Sequence, residues 1–466
     1  MRSITVQNYR CFGEQQTAQL APLTLFVGEN SSGKTSLAAM VRALWDISYA
    51  ERVPDFKEPP YDLGSFEEIV HHGGARDSNA EMFSAAFEIG SDVPSRLTRE
   101  TEFGVSDIRL EVTFGPKWGA PVPTRRRISR GDYWVEQSID GNNHIRFDLG
   151  TPSGIWAYED PEIDRFFAQN GGIDSLPPFD FVSHLIWRER SAAEDDSKER
   201  DPPLITEEEQ ESIMDLIHGR IFSELSDSRS TASSRPFAGA PTRSHPRRTY
   251  DPASVAPDAE GDYVPMYLAQ LSLRDASAWE RLQSRLGEFG REAGLFHELN
   301  VRHLGKTAGS PFQIEVRASD IPAQSPPLNL ADVGYGVSQT LPLVAELLRP
   351  DGPRMMLLQQ PEVHLHPSAE AALGSLFCRV VSSGKKRRRQ LVVETHSDFI
   401  IDRVCMSVRD ETVDLVPEDV SIVYFERTGL GVRLHSLRVD DDGNLLDVPS
   451  GYRQFFMDES VKYLGA

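Results

Sequence analysis

The chain is poor in cysteine, in positive charge and in long apolar runs, and each shortage narrows what it does. Its three cysteines, Cys11, Cys378 and Cys405, form neither a disulfide framework nor a metal-ligand spacing, which fits a reducing cytosol. No apolar run approaches the ~18 residues a membrane-spanning helix needs. Residues 1–6 carry no apolar signal core, so the expected compartment is the cytoplasm, with no membrane partner. Lys and Arg number 49 against 71 Asp and Glu, a formal charge of −22, which argues against indiscriminate nucleic-acid binding but leaves room for a local basic groove. Internal repeats and heptads long enough for an extended coiled coil are also missing. What remains is 466 residues, 39% hydrophobic and 26% charged, enough for two or three core-bearing units of an ordinary globular protein.

The strongest motif is Gly28-Glu29-Asn30-Ser31-Ser32-Gly33-Lys34-Thr35, a match to the phosphate-binding loop G-x-x-x-x-G-K-[ST]. An apolar run, Leu23-Thr24-Leu25-Phe26-Val27, precedes it and reads as a buried strand. A helix-forming run beginning at Ser36 follows. In that setting the loop's N–H groups and the helix N-terminus wrap phosphates. Lys34 then reaches the β- and γ-phosphates, and the Thr35 hydroxyl ligates Mg²⁺. The spacing therefore predicts ATP, or another nucleoside triphosphate, with Mg²⁺.

Alternating apolar residues predict strands at 82–89 and 108–114 and a β-meander over 125–148. Composition changes near residue 190, where an acidic, proline-containing stretch is followed by the Ser-, Pro- and Arg-rich segment 226–262, read as long loops or an insertion. Trp279, Leu282, Leu286 and Phe289 mark an amphipathic helix over 276–293. Unbroken apolar runs at 355–358 and 390–393 read as strands covered on both faces, with a helix at 367–381 between them and a further strand at 420–425. The expectation is an α/β P-loop fold in which N- and C-terminal lobes share one mixed sheet. Its parts are an N-terminal lobe at 1–190, an insertion at 191–328 and a C-terminal lobe at 329–466.

Four stretches follow the P-loop in order. Asp332-Val333-Gly334-Tyr335-Gly336-Val337-Ser338-Gln339 leads into an apolar helix over 340–348. Leu357-Leu358-Gln359-Gln360-Pro361-Glu362 ends a buried strand in polar residues, and Val363-His364-Leu365-His366-Pro367 follows it. Two histidines without a third ligand nearby are weak grounds for a transition metal. Glu394-Thr395-His396-Ser397-Asp398 closes the next strand and places His396 at a strand end, where ligands bind in open α/β sheets. With Val6-Gln7-Asn8-Tyr9-Arg10-Cys11-Phe12 and the P-loop, this ordered set resembles the ABC-type ATPase head of the branch that holds RecF, the SMC-like repair ATPases and the overcoming-lysogenization-defect (OLD) ATPases. The tail stretches Asp440-Asp441-Asp442-Gly443-Asn444-Leu445 and Pro449-Ser450-Gly451-Tyr452 resemble the C-terminal module of bacterial single-head members.

The resemblance implies two heads sandwiching ATP. Gly28, Glu29, Asn30, Ser31, Ser32, Gly33, Lys34, Thr35 and Ser36 hold the nucleotide of one head, with Arg10 as a ribose or phosphate contact and His396 as the γ-phosphate sensor. Gly334, Gly336 and Ser338 close on that phosphate from the partner. Thr35 and Gln359 fall at the metal, and Lys34, Gln360, Glu362 and His396 are the candidate catalytic residues. Members of the wider family carry an acidic pair where this chain has Gln359-Gln360, and an amide supplies neither a base nor charge. Slow hydrolysis is therefore expected, with Glu362 as the nearest replacement carboxylate. The chain resembles the ATPase subunits of anti-phage systems such as Septu and PARIS, which implies a homodimer or higher homo-oligomer and a separate nuclease or toxin as effector. The competing reading is a RecF-like repair ATPase acting on DNA directly. The basic run Lys385, Lys386, Arg387, Arg388 and Arg389 is the candidate DNA or partner contact, with Arg235, Arg243, Arg247 and Arg248 as a looser second group. The acidic cluster 440–442 reads as a solvated turn in preference to a nuclease metal site.

Overall fold

A computed structural model describes residues 1–49, 53–74, 80–89, 107–139, 144–159, 176, 206–218, 235–252, 256–307, 309–319, 326–382, 389–411 and 413–452. The strands are β1 (Ser3–Gln7), β2 (Gln16–Gln19), β3 (Leu23–Gly28), β4 (Phe83–Ile89), β5 (Ile108–Lys117), β6 (Ala120–Arg130), β7 (Tyr133–Ile139), β8 (Ile145–Thr151) and β9 (Gly154–Glu159). They continue as β10 (Phe237–Gly239), β11 (Phe296–His303), β12 (Phe312–Ala318), β13 (Leu328–Asn329), β14 (Met355–Gln359), β15 (Gln390–Glu394), β16 (Val420–Thr428), β17 (Gly431–Val439) and β18 (Leu445–Leu446). The helices are α1 (Lys34–Tyr49), α2 (Phe66–Ile69), α3 (Glu207–His218), α4 (Val264–Arg274), α5 (Ala276–Glu292), α6 (Tyr335–Leu348), α7 (Pro367–Ser382) and α8 (Asp398–Arg409). None of them is long and apolar enough to cross a membrane.

The chain divides into two compact units. The first holds residues 1–20, 36–231 and 427–434, and the second holds 21–35, 232–426 and 435–466.

In the first unit eight strands form an antiparallel sheet in the order β2-β1-β4-β5-β6-β7-β8-β9. The period-2 pattern of β5 sends Ile108, Leu110, Val112 and Phe114 to a buried face. Phe114 stacks on Phe83 at 4.8 Å and takes the edge of Phe56 at 5.6 Å, an aromatic cluster that anchors the middle of the sheet. Gly150 faces Trp134 across the β7–β8 pair, and a Cβ there would fall 2.0 Å from the indole nitrogen. Glycine is what lets Trp134 lie flat at that position. From Ser36 onward α1 belongs to this unit, and its Leu37, Met40, Val41 and Leu44 are buried at i, i+3, i+4, i+7 spacing. The Tyr9 hydroxyl donates to the Ser36 carbonyl at 2.8 Å. Arg10 donates through Nη1 to the Glu68 carbonyl at 3.2 Å.

The second unit is built on a seven-stranded sheet in the order β10-β14-β15-β3-β16-β17-β18, whose first five strands run parallel. The P-loop strand β3 lies between β15 and β16, pairing Val393 with Leu25 and Ile422 with Leu25. Its residues Leu23 to Val27 are all buried, as an apolar run covered on both faces requires. A second, three-stranded antiparallel sheet, β11-β12-β13, packs with α5, whose Leu282, Leu286 and Phe289 are the buried side of the expected amphipathic helix. The N-terminal P-loop strand and the C-terminal strands thus share one sheet, while the meander strands form their own.

Two local readings change. Segment 226–262, expected as loop, contains β10, a strand of only three residues that pairs in parallel with Met356 to Leu358 of β14. Helix α6 begins at Tyr335, five residues before the expected start, because Gly334 caps it and its carbonyl accepts from the Val337 and Ser338 amides. The cluster 440–442 is a turn between β17 and β18. There the Asp440 carboxylate accepts from the Asn444 backbone at 2.7 Å and from its side-chain amide at 3.1 Å.

Candidate functional site

Parallel α/β sheets expose their ligand sites at the carboxyl ends of the strands. In the second unit those ends carry the P-loop after β3, Gln359 at the end of β14 and Glu394 at the end of β15. The loop itself turns on Gly28, Ser31 and Gly33, all at positive φ. At Gly28 a Cβ would meet the Phe425 carbonyl of β16 at 2.7 Å, so only glycine lets the chain leave the sheet there. Successive amides aimed inward in such a loop form an anion-binding concavity, and the first turn of α1 adds its dipole.

Lys34 is 3% exposed. Its ammonium donates to the Gly28 carbonyl at 3.0 Å, the Glu29 carbonyl at 2.6 Å and Ser32 Oγ at 3.5 Å, so the charge is folded into its own loop. Burial lowers its pKa, opposed by the carboxylates of Glu394, Glu362 and Glu29. The Thr35 hydroxyl donates to Glu394 Oε2 at 2.8 Å. Glu394 is 6% exposed; burial raises its pKa, opposed by the Thr35 hydrogen bond and by Lys34.

Gln359 and Glu394 are register partners on adjacent parallel strands, so both side chains leave the same face, roughly 4.8 Å apart along the sheet. Beyond them Gln360 takes φ +39, a costly backbone conformation for a residue with a Cβ. Its amide is held by the Glu394 carbonyl at 2.8 Å. That turn brings Glu362 back to the next strand end, where its Oε1 accepts from the His396 amide at 2.7 Å. Burial raises the Glu362 pKa, opposed by this bond. The His396 imidazole is lowered by burial and by the nearby Lys34 cation, which favours the neutral ring. His366 caps α7, its Nδ1 lying 3.0 Å from Ser368 Oγ, and His364 lies against the exposed Tyr335 ring at 5.7 Å.

Two residues of this neighbourhood were not legible as site residues in the sequence. Glu394 ends an apolar run in the sequence, yet only its pairing opposite Gln359 gives it a role. Arg243, assigned above to a loose basic surface group, is 5% exposed, and its guanidinium feels the Glu362 carboxylate. Burial lowers its pKa to about 10. The only signal for it is the small apolar run Phe237-Ala238-Gly239-Ala240 just upstream.

Three buried polar atoms here have no hydrogen-bond partner among the described residues: Gln359 Nε2, Glu362 Oε2 and Arg243 Nη1. An unsatisfied amide donor at the end of β14 and a guanidinium within range of Glu362 are groups of the kind that bind the oxygens of a triphosphate. No group of three or more His, Cys, Asp or Glu side chains suited to a metal occurs among the described residues. Mg²⁺ carried by a nucleotide needs only one or two protein carboxylates besides the phosphates, so Thr35 with Glu394 is a donor set of the right chemistry.

The stretch 332–339 runs into the first turn of the 14-residue helix α6. Gly334 and Tyr335 are exposed and Gly336 is half-buried. Ser338 is buried, its hydroxyl donating to the Tyr335 carbonyl at 3.3 Å. Of the basic run, Arg389 donates to the Leu347 and Arg349 carbonyls at the end of α6 and acts as a helix cap. Lys385, Lys386, Arg387 and Arg388 lie outside the described residues.

Among solved structures the chain is similar to an Smc head domain with an extended coiled coil bound to the C-terminal domain of ScpA, from Pyrococcus furiosus. That match has 12% identity and a TM-score of 0.42, covering 100% of this chain and 98% of the other. It is also similar to the SMC head domain from Thermotoga maritima, at 11% identity and a TM-score of 0.34, covering 94% and 99%. These scores are too low to establish a common fold. No curated protein matches the chain. Residues 1–89 match the family described as AAA ATPase domain, and residues 217–402 match the family described as AAA domain, putative AbiEii toxin, Type IV TA system. The P-loop falls in the first match and Arg243, Gln359, Glu362, Glu394 and His396 in the second, so all of these residues lie within the two matched segments.

Proposed function

We propose that this chain is an ABC-type ATPase head that binds ATP with Mg²⁺, pairs with a second copy through the bound nucleotide, and thereby switches a separate effector, a nuclease or toxin, in anti-phage defence. The observation that carries the nucleotide part is the convergence of Lys34, Thr35, Glu394, Glu362 and His396 at the strand ends of one parallel sheet. Lys34 exchanges its loop carbonyls for phosphate oxygens, Thr35 turns its hydroxyl oxygen to the metal, and neutral His396 donates to the terminal phosphate. Bound ATP·Mg²⁺ supplies the negative charge that two heads then share. The exposed start of α6, with Gly334 at its cap, supports the pairing, since a helix N-terminus with bare glycine is suited to close on a partner's phosphate.

Turnover is slow in this reading, because Gln359 and Gln360 can orient water but take no proton from it. ATP then works as an assembly signal whose lifetime hydrolysis sets. The effector and the defence role rest on the resemblance to single-head anti-phage ATPases. The test is the solution mass of the purified protein with and without ATP·Mg²⁺, with phosphate release followed in the same samples. Nucleotide-driven assembly with slow release is the expected result. Assembly indifferent to ATP, with fast release, would overturn it.

A further inference from the structure

A P-loop ATPase holds Mg²⁺ between the P-loop Ser/Thr and a carboxylate at the end of another strand of the same sheet. Here β14, two places from the P-loop strand β3, ends in Gln359, a neutral amide whose Nε2 is buried without a partner among the described residues. On β15, which lies between β14 and β3, Glu394 stands directly opposite Gln359 in register. Its Oε2 is 2.8 Å from Thr35 Oγ1, the hydroxyl at the position where a P-loop holds Mg²⁺. Its carbonyl also holds the Gln360 amide, so the backbone at 394 fixes the turn that follows Gln359.

We infer that Glu394 supplies the metal-side carboxylate that Gln359 lacks: the negative charge has moved from β14 to β15 and remains beside Thr35. Three features on the page support this. The carboxylate is buried, which costs free energy unless a cation compensates it. The compensating cation within the site is Lys34, which a bound triphosphate draws toward its phosphates, so the metal takes over the charge of Glu394. And β15 is the direct neighbour of the P-loop strand β3, so Glu394 stands one strand nearer Thr35 than Gln359 does.

The inference rests on the nucleotide reading above, and the experiment separates the two. Equilibrium binding of a fluorescent ATP analogue is measured across a Mg²⁺ titration and again in EDTA, for the wild type, Glu394→Gln, Gln359→Glu and the double variant. The wild type is expected to bind weakly in EDTA and tighter as Mg²⁺ rises. Glu394→Gln, which keeps a carbonyl for the Thr35 hydroxyl, should need at least tenfold more Mg²⁺ than the wild type for its half-maximal gain. Adding Gln359→Glu to it should restore the wild-type Mg²⁺ requirement. An unchanged requirement in Glu394→Gln, or no restoration in the double variant, overturns the role of Glu394 alone. No binding by the wild type under any condition overturns the nucleotide reading and this inference with it.

Discussion

The side-chain amide of Gln339 holds both backbone groups of Arg243: its Oε1 accepts from the Arg243 N–H at 2.9 Å, and its Nε2 donates to the Arg243 carbonyl at 3.2 Å. Gln339 belongs to the first turns of α6, and Arg243 brings its guanidinium to Glu362. The start of α6 and the Glu362 carboxylate are therefore linked through the backbone and side chain of one residue. Removing the amide strands two buried backbone groups, so Gln339→Ala should cost about 2 kcal/mol of stability. Urea unfolding midpoints with an unchanged m-value would show it; equal midpoints would mean that water satisfies both groups.

Arg243 itself should matter to turnover more than to folding. Arg243→Met keeps the buried stem and removes a guanidinium whose Nη1 has no partner among the described residues. Single-turnover phosphate release should slow at least tenfold, while the unfolding midpoint stays close to that of the wild type. A variant that hydrolyses at the wild-type rate would leave Arg243 as filler for the end of β10.

On the proposed reading, Glu362 is the nearest carboxylate able to take a proton from water, which Gln359 and Gln360 cannot do. The wild type should turn over at or below ~1 s⁻¹, the low end for ordinary enzymes. Glu362→Gln should remove most of that turnover with nucleotide affinity largely kept. Turnover that survives the change would exclude Glu362 as the base.

Stability should fall with rising pH in mildly acidic solution. Glu346 of α6 is buried against the Tyr263 hydroxyl and Arg349, with Arg389 and Asp351 in range. Burial pushes its carboxyl up to about 7, against the opposing pull of Arg349 and Arg389. An unfolded glutamate titrates near 4.3, so between that value and about 7 the unfolded chain has lost a proton the native one keeps. Each pH unit in that window costs up to ~1.4 kcal/mol, and nothing further is lost above it. Glu346→Gln should flatten the slope; parallel stability–pH curves for the two proteins would reject the assignment.

Arg389 separates the two readings of the basic run. Because it caps α6 at the Leu347 and Arg349 carbonyls, Arg389→Ala should lower the unfolding midpoint by the equivalent of about 1–3 kcal/mol. Any salt-dependent DNA affinity should instead follow reversal of Lys385, Lys386, Arg387 and Arg388 with Arg389 left in place. A DNA affinity that depends on Arg389 alone would reverse that division.

What the sequence made legible followed from local rules. The P-loop is readable because its spacing fixes a strand, a turn and a helix start within a few residues of one another. Strands β14 and β15 announce themselves as unbroken apolar runs, and α5 as a helical period carried by Leu282, Leu286 and Phe289. Strand β10 did not, since three small or aromatic residues carry no period and its pairing with β14 is a tertiary event more than 100 residues away. The start of α6 was hidden because Gly334 and Gly336 read as loop, whereas the helix is held from outside by contacts such as Gln339 with Arg243. Glu394 was visible only as a polar residue at the end of an apolar run; its meaning depends on which residue stands opposite it across the sheet.

The position of β3 carries a cost during synthesis. Its neighbours β15 and β16 begin at Gln390 and Val420, while β3 itself begins at Leu23. At the usual 5–20 residues per second, the ribosome needs roughly 20 to 70 s to deliver the first partner strand after β3 has emerged. For that time Leu23, Leu25, Phe26 and Val27 have no sheet to enter, and they form a short apolar segment of the kind that chaperones hold and aggregates recruit. Yield in cells should therefore respond to chaperone supply and to slower growth, and β3 should gain no protection from hydrogen exchange on the ribosome until β15 has emerged.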